Sequence, residues 1–253
     1  MATTSTVDAE SRRERLLEIL SADGIIRLDA AAERLGVSPM TVRRDLADLE
    51  TDGQLRRVRG GAVPSLRPRS FVERMSTGAD AKLVIAEKAL GLVPASGAAA
   101  FDASSTVGTL LSRLDGASDL SIATNSYENF QAARRLAGAT AILVGGEAED
   151  RTDSFVGLVA CQAAGSLHYS RFFTSAAAVD AARGTSEVTL AETQVKLAFV
   201  DAADETILLV DSSKLGQRAM ARALDWTSVS VMVTELDPSD DRLDEFRGFV
   251  TLV

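Results

Sequence analysis

Apolar residues recur at helical spacing through the first fifty positions. Leu16, Ile19 and Leu20 share one face of a helix predicted over residues 11–21, with Gly24 placed to end it. Residues 1–9 carry no such pattern and read as disordered. Ile25 to Leu28 reads as a short strand, and Asp29 as the N-cap of a second helix with Ala31, Ala32 and Leu35 on one face. Gly36 turns the chain into a third helix. There Ser38 is placed to cap, and Pro39 takes the first position, where a missing N–H costs nothing. Val42, Leu46 and Leu49 follow at i, i+4 and i+7, so one stripe faces a core. Helix, helix, Gly turn, helix is the order of a helix-turn-helix. Residues 54–59 then alternate as a strand, and Gly60-Gly61-Ala62 turns it back. A basic hairpin after such a helix is the wing of a winged helix.

Beyond residue 80 the pattern changes to short apolar runs alternating with helical segments. The predicted strands are 98–103, 120–124, 141–144, 172–177, 206–210, 229–234 and 249–252. The predicted helices are 82–92, with Leu83, Ala86 and Leu90 on one face, and 107–114, 127–136, 157–164 and 190–200. This alternation predicts an α/β domain on a mostly parallel sheet. Residues 63–80, with Pro64 and Pro68 and no apolar period, read as an extended connector. The domains expected are 1–62, a linker over 63–80, and 81–253.

Charge sharpens the division. The net charge of −9 is unevenly spread: residues 1–74 hold 13 Arg and 12 acids, the remainder 14 cations and 24 acids. Within residues 38–69 there are seven Arg against four acids, as a small DNA-binding module joined to an acidic domain requires. A single cysteine, Cys161, excludes an intrachain disulfide and reads as a buried thiol in an apolar stretch. One histidine, His168, leaves no zinc cluster and no Ser-His-Asp set to argue. There is no signal-peptide core and no apolar run long enough to span a bilayer, so a cytoplasmic protein without a membrane partner is expected. Neither a P-loop nor a Gly-x-Gly-x-x-Gly is present, and no cofactor or metal is expected.

The candidate chemistry lies in two places. On the third helix Met40, Arg44 and Ala47 oppose the apolar stripe, flanked by Thr41 and Arg43. A guanidinium fork matches guanine or a phosphate bidentately, and a capped helix with its readers in the first turns suits the major groove. Solvated surface arginines are the competing reading. Ser38, Met40, Thr41, Arg43 and Arg44 are therefore candidate DNA contacts, with Arg56, Arg57 and Arg59 of the wing along phosphates.

In the second domain polar clusters fall after predicted strands, where α/β sheets bind ligands. These are Asp102 to Thr106, Thr124-Asn125, Gly145-Gly146 and Asp211 to Lys214. Ser104, Ser105 and Thr106 precede a helix, which makes an anion site, and Lys214 adds a mobile charge. Gly145-Gly146 permits close approach to a ligand. Each cluster alone also fits a helix cap or a turn. Glu192 and Lys196, at i and i+4, fit a helical salt bridge or a pocket role equally.

The sequence from Arg27-Leu28 through Gly36-Val37-Ser38-x-x-Thr41-Val42-Arg43-Arg44-Asp45-Leu46-x-x-Leu49-Glu50, then Gly53-x-Leu55 and Arg57-x-x-Gly60-Gly61-Ala62, resembles the N-terminal domain of DeoR-family bacterial transcriptional repressors. Downstream, Asp102, Thr106, Thr124-Asn125, Gly145-Gly146-Glu147, Ser154-Phe155-Val156-Gly157, Glu192, Lys196 and Asp211-Ser212-Ser213-Lys214 are similar to the sensor domain of that family. The sequence departs from the pattern at Ala32, at Ser104-Ser105 in place of Gly-Thr, and at Ser170, Ser175 and Glu235. The resemblance implies a winged helix-turn-helix followed by a domain like ribose-5-phosphate isomerase and CoA-transferase folds. It also implies a repressor of a carbohydrate operon, released from double-stranded operator DNA by a phosphorylated sugar. The effector would meet Asp102, Ser104, Ser105, Thr106, Thr124, Asn125, Gly145, Gly146, Glu192, Lys196 and Lys214. Paired half-sites need paired helices, so a homo-oligomer, dimer or tetramer, is expected. The competing readings are a sugar-phosphate isomerase-like enzyme with a DNA-binding appendage and a module whose wing binds protein.

Overall fold

Leu16, Ile19, Leu20, Val42, Leu46 and Leu49, the stripe read from spacing, are all buried in one cluster with Ile26, Leu55 and Ala62. The computed structural model describes residues 4–51, 54–64, 70–150 and 152–253, and the chain divides into two units, 1–67 and 68–253. The first unit runs α1 (Thr4–Asp23), β1 (Ile26–Arg27), α2 (Leu28–Leu35), α3 (Pro39–Thr51), β2 (Leu55–Val58) and β3 (Gly61–Pro64). The strands form an antiparallel sheet in the order β1-β3-β2. Gly36 adopts φ 65° to end α2, a conformation that favours glycine. Arg12 of α1 closes the bundle by donating to both oxygens of buried Asp45 on α3, at 2.5 and 3.0 Å.

Three expectations need correction here. α1 begins at Thr4, inside the stretch read as disordered. Asp29 does not cap α2: the residue before the helix is Arg27, which makes no side-chain cap, and Asp29 sits in the first turn, where its charge suits the helix dipole. The stretch read as a connector contains a helix, α4 (Phe71–Ser76), and the start of the next, α5 (Ala79–Ala89). Ser70 and Glu73 build a full capping box, which holds a helix too short to show a period. Residues 65–69 of that connector, and Gly53 of the wing motif, lie outside the described residues.

The second unit continues with β4 (Gly97–Phe101), α6 (Ser105–Arg113), β5 (Leu120–Thr124), α7 (Tyr127–Ala133) and β6 (Ala139–Leu143). A hairpin of β7 (Glu147–Glu149) and β8 (Ser154–Val156) leads to α8 (Gly157–Ala164) and β9 (Tyr169–Thr174). Then come β10 (Ala178–Asp180), β11 (Gly184–Glu187), α9 (Leu190–Asp201), β12 (Ala203–Leu209), β13 (Ala221–Arg222), β14 (Val231–Val233) and β15 (Thr251–Leu252). Seven strands form one sheet in the order β15-β14-β12-β9-β4-β5-β6, and every pair in it is parallel. Its seven strands overlap the seven predicted ones. The short strands β10, β11 and β13 make a separate antiparallel sheet.

Alternation along the central strands builds a three-layer core. Ala99, Phe101, Phe173, Ile207 and Leu209 face α5 and α6, through Ile85, Ala86, Ala89, Val107, Leu110 and Leu111. Their neighbours Ala100 and Phe172 face α8 and α9, through Ala160, Ala164, Val195 and Phe199. Phe101 stacks on Phe173 at 4.9 Å, and Phe172 on Phe199 at 5.1 Å. The inward face of α5 is not the predicted one: Lys82, Ile85, Ala86 and Ala89 are buried and Leu83 is exposed. Cys161 is half-buried beside the second cluster rather than buried. No helix of the described residues is long and apolar enough to cross a membrane.

Close packing in the first unit is tested at Gly61. A Cβ there would stand 1.7 Å from the Ile26 carbonyl oxygen, in the pairing of β3 with β1. Gly61→Ala is therefore expected to cost on the order of 3 kcal/mol in the first unit. Trp226, the only tryptophan, lies in the second unit. Far-UV circular dichroism should show an earlier partial melt, while the Trp226 fluorescence transition stays where it was. A wild-type melt by circular dichroism would contradict the packing argument.

Candidate functional site

On α3 the apolar stripe pins one face to the core, so the opposite face is left to solvent. Met40, Arg43 and Arg44 are exposed, Met40 to 67%. Ser38 caps the helix: its hydroxyl accepts from the Thr41 N–H at 3.1 Å and lies 2.9 Å from the Thr41 hydroxyl. Among the described residues Arg43 and Arg44 enter no ion pair, so two guanidiniums stand uncompensated side by side. On β2 and the turn after it, Arg56 and Arg59 are likewise exposed, and among the described residues neither enters an ion pair. Arg57 differs. Glu50, in the last turn of α3, accepts from the Arg57 backbone N–H at 2.8 Å and from its Nε at 2.6 Å. The hydrogen bonds from Arg57 hold the Glu50 carboxyl below its usual range. Arg57 thus ties β2 to α3.

In the second unit the strand order fixes a different kind of place. From β4 the chain steps outward through β5 and β6; it then returns to the other side of β4 as β9 and steps outward again through β12, β14 and β15. β4 and β9 therefore flank the topological switch point, beyond whose carboxyl ends α/β sheets bind their ligands. Asp102 follows β4 and Thr174-Ser175 ends β9. Asp102 is buried and accepts through Oδ1 from the Ser104 N–H (2.8 Å). Through Oδ2 it accepts from the Thr174 hydroxyl (2.6 Å), the Ser175 N–H (3.0 Å) and the ammonium of Lys196. Lys196 also donates to Thr174 Oγ1 (3.0 Å) and to the Ser175 carbonyl (2.8 Å). The next strand along, β12, leads to Lys214, whose Nζ donates to Ser175 Oγ at 3.0 Å and lies 3.7 Å from Asp211.

Of the residues singled out by sequence, Asp102, Ser104, Ser105, Thr106, Lys196 and Lys214 meet at this switch point. Ser104 caps α6 by accepting from the Val107 N–H at 3.3 Å. That leaves the Ser105 and Thr106 amides in its open first turn. The Thr106 hydroxyl is buried with no partner. Glu192 is buried one turn before Lys196, but among the described residues the two form no ion pair; Lys196 turns to Asp102 and Glu187 instead. Thr124 and Asn125 stand one strand over, at the end of β5. There the Thr124 hydroxyl accepts from the Ser126 N–H (3.2 Å) and Asn125 donates to the Phe155 carbonyl (3.0 Å). Gly145 and Gly146 follow the edge strand β6 and are not brought to the cluster. A Cβ on Gly146 would stand 2.4 Å from the Val156 carbonyl oxygen, so hairpin packing already accounts for that glycine.

Three residues here escaped the sequence reading, and a fourth, Ser175, figured in it only as a departure from the family pattern. Glu187 ends β11, a short strand without apolar alternation, and its Oε1 lies 3.2 Å from Lys196 Nζ. Ser175 supplies both the carbonyl for Lys196 and the hydroxyl for Lys214. Arg74 of α4 donates to the carbonyls of Ala103 (3.0 Å) and Thr152 (2.6 Å). Lys82 is buried and donates to the carbonyls of Arg74 and Thr77. Among the described residues no group of His, Cys, Asp or Glu could hold a metal ion.

The cluster perturbs its own titration. Burial opposes the Asp102 charge, but Lys196 and the surrounding donors outweigh it and hold the carboxyl below its usual range. Burial also opposes the Lys196 ammonium, and Asp102 and Glu187 more than offset it, so the charge is held more firmly than in water. Glu187 goes the other way. Burial, with help from Glu192 and Asp102, pushes it up to about 7 from 4.5, against the pull of Lys196. Burial likewise raises Glu192.

The folded chain therefore keeps a proton on Glu187 up to about pH 7, while the unfolded chain loses it near 4.5. Folding takes up a proton between these limits, so this carboxyl makes stability fall as pH rises through them, by an amount on the order of 3 kcal/mol. Urea unfolding followed by Trp226 fluorescence should show a shallower decline between pH 5 and 7.5 in Glu187→Gln than in wild type. Equal slopes would mean that Glu187 is ionised throughout.

The comparisons with known proteins agree with this division. Residues 12–65 match the family model of a DeoR-like helix-turn-helix domain, and residues 77–236 that of a DeoR C-terminal sensor domain. The chain is similar to the lactose phosphotransferase system repressor of Streptococcus mutans, 32% identical over 96% of this chain and 98% of that one. It is also similar to the lactose phosphotransferase system repressor of Lactococcus lactis, 28% identical over 98% and 99%. Among solved structures, ribose 5-phosphate isomerase A from Methanocaldococcus jannaschii aligns over 55% of each chain, with 18% identity and a TM-score of 0.38. A helix-turn-helix and a sensor domain, matched in that order along most of the sequence, identify this chain as a member of the DeoR family of transcriptional regulators.

Proposed function

We propose that this regulator is the repressor of a carbohydrate-utilisation operon, that α3 reads its operator, and that a phosphorylated sugar bound at the switch point releases it. The observation that carries the reading is the uncompensated pair Arg43 and Arg44 on the outer face of α3, in a chain whose other unit gathers Lys196 and Lys214 beyond β4, β9 and β12. The relatives named as repressors of a lactose phosphotransferase system support a carbohydrate operon as the target.

In this reading Arg44, with Arg43, Met40 and Thr41, faces base edges, and Ser38 holds the helix start. Arg56 and Arg59 run along phosphates, and Arg57, held by Glu50, sets the angle of the wing. A dimer or a larger oligomer presents two reading helices to two half-sites. The effector's phosphate meets the Ser105 and Thr106 amides at the start of α6, where free N–H groups and the helix dipole favour an anion, with Lys214 supplying the counter-charge. Asp102 and Asn125 face the sugar hydroxyls. Release follows if the effector prefers a subunit arrangement that misplaces the two helices, with a coupling of about 1–3 kcal/mol.

Two measurements test the halves separately. Arg44→Ala is expected to cost about 1–3 kcal/mol of operator affinity and to relax base preference. Arg56→Ala or Arg59→Ala should weaken operator and random DNA alike and flatten the log–log salt slope by about 0.9 per lost contact. Wild-type operator binding by an Arg43→Ala/Arg44→Ala variant would refute the α3 assignment. For the sensor, Lys214→Ala should still bind operator but no longer release it with a sugar phosphate that releases wild type. Release at the wild-type concentration would place the anion away from Lys214.

A further inference from the structure

The six residues of α4 are held more firmly than their length requires. The capping box of Ser70 and Glu73 fixes the first turn. The Phe71 N–H donates to Asp153 Oδ2 at 2.9 Å. The Phe71 ring lies against Gly108 of α6, so closely that a Cβ there would meet it at 2.9 Å. At the other end, the buried ammonium of Lys82 closes on the carbonyls of Arg74 and Thr77. Between these anchors the Arg74 guanidinium bridges two carbonyls from segments far apart in sequence, Ala103 and Thr152. Its Nε is buried with no partner, and its charge is felt at buried Glu192.

Apart from the capping box, the anchors lead to the switch-point cluster or to the strand end beside it. Ala103 lies between Asp102 and Ser104. Thr152 and Asp153 precede β8, whose Phe155 carbonyl accepts from Asn125. Lys82 contributes to holding Asp211 ionised beside Lys214. α4 is also the first described element of the second unit, directly after the residues that join it to the DNA-reading unit. We infer that Arg74 is a positioning residue that makes α4 follow the β4–α6 loop and the β7–β8 hairpin as one body, so that a ligand-driven shift of those loops is delivered to the joint between the units. This rests on the proposed effector site for its trigger, but the anchoring itself does not.

Arg74→Gln keeps length and polarity but lacks the fork that spans two carbonyls. Asp153→Gly removes an independent anchor without straining a backbone whose φ is +53°. Both are made in the full chain. Hydrogen–deuterium exchange over residues 70–78 should accelerate at least tenfold in Arg74→Gln, with operator affinity in the absence of ligand within about twofold of wild type. Ribose 5-phosphate, glucose 6-phosphate, fructose 6-phosphate and galactose 6-phosphate serve as probes. With any of them that binds wild type by calorimetry, the variant should bind within about threefold yet lose most of the fold-change in operator affinity that wild type shows. Asp153→Gly should do the same more weakly, and Arg74→Lys should restore only part of the response. Unchanged exchange over 70–78 overturns the inference whether or not a probe binds, and so does full operator release by Arg74→Gln. Loss of probe binding in Arg74→Gln overturns it too, because Arg74 would then be a ligand contact. If no probe binds wild type, the effector reading fails by itself, and the exchange measurement still decides how α4 is held.

Discussion

The second unit is organised around a buried ion pair, Asp102 with Lys196. Two charges removed from water are costly unless every remaining valence is filled. Here they are filled from four directions: the Ser104 and Ser175 amides, the Thr174 hydroxyl, the Ser175 carbonyl and the Glu187 carboxyl all converge on the pair. These partners come from β4, β9, β11 and α9, which are remote in sequence; Asp102 and Lys196 are 94 residues apart. The pair therefore fixes how strands and helix meet at the switch point. It also keeps polar groups concentrated where a parallel sheet opens. The first unit contains a smaller version of the same device, Arg12 on Asp45, which sets α1 against the reading helix.

Function follows from what these buried contacts leave unpaired. α3 uses its apolar stripe for the core and Ser38 for its start, and among the described residues neither Arg43 nor Arg44 enters an ion pair. The wing arginine that could have joined them is drawn to Glu50, which leaves Arg56 and Arg59 as the arginines of the hairpin without an ion pair among the described residues. In the other unit the charge is not spread over a surface but held within a few ångströms of β4 and β9. In the proposed reading an anion arriving there meets helix amides and Lys214, and Glu187, which keeps its proton below about pH 7, adds no repulsion on the acid side of neutrality. Net charge alone, at −9, hides both features.

Much of this was legible before any coordinates. Parallel strands buried on both faces read as continuous apolar runs, and all seven strands of the main sheet fall at such runs. The α3 cap and stripe follow from local spacing. What escaped was short or non-local. β10 and β11 carry too few apolar residues to alternate, so Glu187 stayed hidden. α4 is too short for a period, so Arg74 was passed over within a stretch read as connector, although Ser70-x-x-Glu73 is a capping signature; Lys82 opened a predicted helix, but its burial was not read. Spacing suggested a Glu192–Lys196 pair on one helix, whereas Lys196 finds Asp102 across the fold, a choice that only tertiary packing determines. Gly146 was read as an approach for ligand, and its neighbours Val156 and Ala160 also give it a packing reason that the sequence could not show.

The most direct measurement is difference electron density in a crystal of the full chain grown with a saturating sugar phosphate that stabilises it. The account expects a phosphate within hydrogen-bond reach of the Ser105 and Thr106 amides and of Lys214 Nζ, with the sugar toward Asp102 and the Asp102–Lys196 contact intact. Density for the ligand anywhere else on the chain, with the carboxyl ends of β4, β9 and β12 unoccupied, would contradict it.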